Sequence, residues 1–161
     1  MPSDNVGDTC LTADGRIKRP LGRVFHYGAF AHARPRFHTV TDIAAAEKFY
    51  DAIMITLAVP KVRKSELRLG YGERCDGDHP DRNYLSIKIG DQPDDAPARH
   101  WCFKASSRAA VDAFWNAGVA NGGTDNGPPG VRGAYHSNYY AAFLIDPSGN
   151  RVEAVCHSNV G

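Results

Sequence analysis

The segment AYHSNYY, residues 134–140, sets one imidazole and two phenols close together in His136, Tyr139 and Tyr140. Ring faces and hydroxyls at this spacing can stack against a small molecule and orient it, although strand and loop packing uses the same residues. Just before it, GPPGVRG carries Arg132, a guanidinium that either meets an anionic substrate group or stays in water. A carboxylate, Glu153, lies in the run RVEAVC. If that run is a strand, Glu153 points to the face opposite Val152 and Ala154. A second imidazole, His100, opens the run HWCFK. Asp146 in DPSGN reads as a turn residue. No Ser/His/Asp order, phosphate loop or dinucleotide fingerprint accompanies these groups.

The elements that carry them repeat. PRFHTVTDIAAAEKFYDA (35–52) overlays HWCFKASSRAAVDAFWNA (100–117) at a constant shift, matching Ala44, Ala45, Phe49 and Ala52 with Ala109, Ala110, Phe114 and Ala117. Each copy predicts a short strand, a polar cap and an amphipathic helix. The first strand falls within 34–41. Thr41 or Asp42 caps a helix with Ile43, Ala46, Tyr50 and Ile53 at helical spacing. Strand character follows at 57–62, 66–71 and 84–89. In the second copy Ser107 caps a helix bearing Val111, Phe114, Trp115 and Val119, stopped by Asn121, Gly122 and Gly123. A Gly/Pro loop, TDNGPPGVRG, then leads into the hairpin YYAAFLI, DPSGN, RVEAVC. The reading is an α+β chain of two βαβββ modules, about 34–90 and 99–157, forming a concave mixed sheet with helices outside. They belong to one domain, 24–161, preceded by an N-terminal extension, 1–23.

The duplicated halves, the HWCFKASSRAAVDAFWNAG segment and the DPSGNRVEAV ending resemble the vicinal oxygen chelate superfamily, which includes glyoxalase I, bleomycin-resistance proteins and extradiol dioxygenases. The resemblance covers about 34–157. It implies a cavity holding a divalent metal (Zn, Fe, Ni or Mn), with ligands from the first and last strands of each module. Carried over by position, His100 and Glu153 become metal ligands, and Glu153 also the group that moves a proton. Imidazole and carboxylate suit such metals. The first module departs from the pattern, because Pro35 stands where His100 would be matched and proline donates no lone pair. Strand parity points His38 to the opposite side, where it should be structural with a ring nitrogen on backbone, unless a bulge brings His32 or His38 round. Asn83, Tyr84, Ser86 and Lys88 on the last strand of the first module are not typical ligands. The resemblance therefore implies a metal-assisted lyase, isomerase or dioxygenase acting on a small molecule with adjacent oxygens. The alternative is a non-catalytic, antibiotic-type binding protein, with or without metal.

Composition excludes other partners. The 161 residues are 42% hydrophobic with a formal net charge of +1, which gives no electrostatic reason to expect nucleic acid or an anionic membrane. No apolar run approaches membrane-spanning length, and MPSDNVGDTC lacks the apolar centre of a signal peptide, so the expectation is a cytoplasmic protein. Cys10, Cys75, Cys102 and Cys156 are scattered, which speaks against a zinc knuckle or a disulfide framework. Exposed sheet edges predict a homodimer.

Overall fold

The computed structural model describes residues 24–26, 38–80, 82–91 and 100–158. The extension 1–23, Pro35 and His32 lie outside them. In chain order the elements are β1 (Val24–His26), β2 (His38–Val40), α1 (Ile43–Thr56), β3 (Lys61–Ser65), β4 (Arg68–Gly72), β5 (Tyr84–Ile89), β6 (His100–Lys104), α2 (Arg108–Ala120), β7 (Thr124–Val131), β8 (Tyr140–Ile145) and β9 (Arg151–Cys156). From β2 onward this is βαβββ twice.

Both helices start where a short polar side chain can satisfy free backbone N–H groups. Asp42 accepts from the N–H of Ala44 and Ala45, and Ser107 from that of Ala110. The modules have equivalent sheets. In the first the strand order is β2-β5-β4-β3, and in the second β6-β9-β8-β7, each opening with a parallel pair and continuing antiparallel. The short β1 adds to the second sheet, pairing parallel with the β6 edge through Val24 opposite His100. That added strand was not legible in the polar, Gly-containing start of the chain.

Two segments differ from the sequence reading. Residues 57–60 form a turn, with Ala58 at φ 57, and the strand begins at Lys61. The Gly/Pro stretch read as a loop is strand β7. An edge strand tolerates proline because one row of its backbone groups faces away from the ladder. Register shifts between Asp125 and Gly127, and again between Gly127 and Gly130, absorb the prolines.

One core joins the modules. Phe49, Tyr50 and Ile53 of α1, Val111 and Phe114 of α2, Leu69, Tyr71 and Ile87 of the first sheet, and Leu144, Val152 and Ala154 of the second are all buried in a single cluster. Trp101 and Trp115 pack at its margin. Strand alternation assigns each sheet a helix-covered face and an opposite face, here termed open because no described helix covers it. The chemistry lies on the open faces.

Candidate functional site

On the second sheet the odd-numbered residues of β6, β8 and β9 sort cleanly. Phe103 faces the helices, while the even positions His100 and Cys102 of β6 face away, next to Glu153 of β9. Cys102, Tyr139, Ala141 and Val155, with Phe143 against them, form a small buried cluster on this open face. Glu153 sits directly opposite Phe143 across the β8–β9 ladder and is completely buried.

Both carboxylate oxygens are engaged. Tyr139 Oη donates to Glu153 Oε1 at 2.6 Å. His100 Nε2 lies 2.9 Å from Glu153 Oε2, yet the angle makes no hydrogen bond, so both buried atoms lack a hydrogen-bond partner. Burial alone would push the Glu153 carboxyl up, but His100, the Tyr139 hydroxyl and Cys102 outweigh it and hold the carboxyl below the usual glutamate range. Burial, then the carboxylate, push Tyr139 well above the ordinary phenol range, and they raise the Cys102 thiol likewise. At neutral pH the centre is therefore an ionised carboxylate, a phenol that keeps its proton, and an inert thiol. It can take up a proton at Oε2 or hold a polar ligand there.

His136 belongs to the rim of this cluster. The Asn138 N–H donates to His136 Nδ1 at 3.1 Å, so the proton of neutral His136 sits on Nε2, which donates to His157 Nδ1 at 2.9 Å. The Tyr139 ring lies edge-on to both imidazoles, with centroids 5.4 and 5.1 Å away. Tyr140 is not part of it. One residue on in the strand, it turns to the helix side, where its hydroxyl donates to Asp112 at 2.8 Å and Arg108 lies over its ring. Arg132 donates to the carbonyls of Pro128 and Ala141 and lies over Phe143, which makes it a strut between β7 and β8 beside the site. Cys102 and His157 escaped sequence reasoning. The signal was strand parity, since both lie two or four residues from His100 or Glu153 on the same face.

His38 is buried between β2 and α1, but side chains hold it where a backbone partner was expected. Tyr50 Oη donates to Asp146 Oδ2 at 2.9 Å and lies 2.6 Å from His38 Nε2. A hydroxyl has one proton, so that short contact requires the His38 Nε2–H to donate, leaving Nδ1 buried without a partner. Asp146 is the turn residue of the β8–β9 hairpin, accepting from the N–H of Ser148 and Asn150, and is also the far end of this network.

Among its described residues the first module supplies no equivalent of the His100–Glu153 pair. Matching registers set Ser86 of β5, paired with Gly70, at the Glu153 position. Zinc and non-haem iron sites use at least three protein donors. Among the described residues no group of three or more His, Cys, Asp or Glu is arranged to hold a metal ion. Among the described residues, His100 and Glu153 are two adjacent donors and fall short of such a set.

A glyoxalase/bleomycin resistance protein from Albidiferax ferrireducens T118 superposes with a TM-score of 0.56 at 33% identity, covering 76% of this chain and 95% of that one. A glyoxalase/bleomycin resistance protein/dioxygenase family enzyme from Burkholderia phytofirmans PsJN gives 0.54 at 17% identity, covering 76% and 96%. The fosfomycin resistance protein FosX from Mesorhizobium loti gives 0.55 at 14% identity, covering 81% and 96%. These last two share the fold alone. No family model matches the sequence, and no curated protein matches it. The paired βαβββ modules and the first of these likenesses define the class: the chain belongs to the glyoxalase/bleomycin-resistance family of the vicinal oxygen chelate superfamily.

Proposed function

We propose that the open face of the second module binds a small molecule with adjacent oxygens, and that Glu153 moves a proton on it as in a lyase or isomerase. The observation that carries this reading is the buried carboxylate, with Oε1 held by Tyr139 and Oε2 beside His100 without a hydrogen bond. A carbon-bound proton next to a substrate carbonyl passes to Glu153 Oε2, and the electron pair of the broken C–H bond moves onto the carbonyl oxygen as an enediolate. His100 leaves Glu153 to face that oxygen, which raises the carboxylate's basicity as the proton arrives. Passage of the substrate's hydroxyl proton to the new oxyanion, and return of the proton from Glu153 to the former carbonyl carbon, complete an isomerisation. A dioxygenase needs two histidines and a carboxylate around iron, and the single His100–Glu153 pair offers half of that nitrogen set.

The test is solvent exchange. In D2O, α-hydroxy ketones and thiohemiacetals of α-ketoaldehydes incubated with the protein should incorporate deuterium at the carbon next to the carbonyl, and Glu153→Gln should abolish this. Exchange no faster than in Glu153→Gln for any such compound sinks the catalytic reading. The second reading, binding without chemistry, is favoured by the incomplete metal-donor set, with His136 and Tyr139 then orienting the ligand. Elemental analysis of untagged protein bears on both, since a stoichiometric metal would mean that residues 27–37 or a second subunit complete the set.

The working form is proposed to be a homodimer, since the β3 edge is fully exposed along Lys61–Ser65 and Val62, Leu67 and Ile89 stand out in water around it. A concentration-independent sedimenting species of 17.5 kDa would refute this. A cytoplasmic setting accords with the unpaired thiols Cys75, Cys102 and Cys156. No helix among the described residues is long and apolar enough to cross a membrane.

A further inference from the structure

The open face of the first module is hollowed by glycine and rimmed by arginine. A Cβ on Gly70 would lie 2.1 Å from Tyr84 Oη, and one on Gly72, at φ 84, would lie 2.3 Å from the Asn83 carbonyl oxygen. Glycine at 70 lets the Tyr84 ring lie across β4, and glycine at 72 lets the strand end pass close to the Asn83 backbone. The result is an open cavity of about 540 Å3 that Tyr84 lines together with Val62, Arg63, Glu73, Arg74 and Arg82. The three guanidiniums are not equivalent. Arg82 is fixed, with Nε 2.7 Å from Glu73 Oε2 and Nη1 3.6 Å from Asp76 Oδ2. Arg74 stacks over the Tyr84 ring, its guanidinium carbon 4.5 Å from the centroid, and Arg63 rises from β3 beside Gly70. Neither Arg63 nor Arg74 meets a carboxylate among the described residues, whereas Arg82 is matched by Glu73, so two of the three guanidiniums lack a described acidic partner. Guanidiniums present paired N–H donors matched to oxyanions, and the Tyr84 ring and Val62 offer apolar surface beside them.

We infer that this cavity is an anion site for a small molecule bearing a doubly charged oxyanion of the phosphate-monoester or phosphonate class, held between Arg63 and Arg74. The site is independent of Glu153, which lies on the other module's sheet. Two charges call for a dianion. A monocarboxylate would leave one guanidinium unmatched.

Calorimetric titration of the full-length protein at constant ionic strength tests this with inorganic phosphate, methylphosphonate and acetate. Phosphate and methylphosphonate should each bind saturably at one site per chain and acetate should not. Arg63→Gln and Arg74→Gln should each weaken binding roughly tenfold, as expected for loss of one charge-assisted contact. Both side chains are exposed, so the variants should fold, which circular dichroism checks. Glu153→Gln should bind phosphate as the wild type does while losing any proton exchange, so failure of the catalytic reading and failure of this one are separable. Absence of saturable binding, equal binding of acetate, unchanged affinity in the arginine variants, or lost affinity in Glu153→Gln would each overturn the assignment.

Discussion

Glu153 and Asp146 are buried carboxylates held ionised by neighbours, and each makes the protein acid-sensitive in a defined direction. Burial opposes ionisation at Asp146 too, but His38 and Asn150 outweigh it and hold the carboxyl below the ordinary aspartate value. When a folded-state pKa is depressed, the unfolded chain takes up its proton first. The stabilisation is therefore complete above the unfolded value and is lost as pH falls through the folded one. For Glu153 the loss begins below about 4.5, and for Asp146 below about 3.8. Thermal melts as a function of pH should show wild-type Tm falling below about 4.5 more steeply than that of Glu153→Gln, with the lower limb common to both. Parallel curves would mean that the Tyr139 and His100 contacts do not form. Tyr50→Phe should cost about 1–3 kcal/mol, since it strips hydrogen bonds from two buried groups, His38 and Asp146. Urea unfolding with a loss under about 0.5 kcal/mol would contradict the network. The family resemblance, which sets the first and last strands of a module side by side, together with parity along β6 and β9, made the His100–Glu153 pairing legible in the sequence. Asp146 and Tyr50 did not read as partners because they stand 96 residues apart, and no local pattern announces such a contact.

Helix α2 shows where local preference and packing disagree. Gly118 lies inside the helix, where replacing glycine by alanine ordinarily stabilises by about 1 kcal/mol. Here an added Cβ would lie 2.3 Å from Leu144 Cδ1, 3.2 Å from Ile53 Cγ2 and 3.3 Å from Phe49 Cε2, all of them in fully buried side chains. Overpacking of this kind costs about 1–3 kcal/mol, so it wins. Gly118→Ala should lower stability by a net of up to about 2 kcal/mol, measured by denaturant unfolding, and a gain would show that the helices can separate without cost. The helix starts were legible to within a residue, because the caps, Thr41 or Asp42 in the first and Ser107 in the second, and the apolar spacing act locally. Strand β7 was not, since its glycines and prolines carry loop preference and only pairing with β8 overrides it.

Across the whole molecule the two modules are bolted together by polar as well as apolar contacts. Besides the His38–Tyr50–Asp146 network, the Thr41 N–H donates to Ser148 Oγ at 3.0 Å and the Asn150 side-chain amide donates to the Thr39 carbonyl at 2.9 Å. The contacts between modules run from β2, α1 and the link between them to the β8–β9 turn of module two. The buried cluster likewise has no seam, since Phe49 meets Gly118 and Gly123 across the helix interface. Modules joined in this way cannot lose one half and keep the other's core dry, so unfolding should be a single cooperative transition. Both tryptophans, Trp101 and Trp115, lie in the second module, so their fluorescence reports that half while far-ultraviolet circular dichroism reports both. The two probes should give coincident urea curves. Asp146→Ala, which removes the shared acceptor of the network, should shift both curves together by about 1–3 kcal/mol, the usual scale for leaving buried hydrogen-bond donors unpaired. Curves that separate in the variant, with fluorescence retained after part of the dichroism is gone, would mean that module two folds without module one.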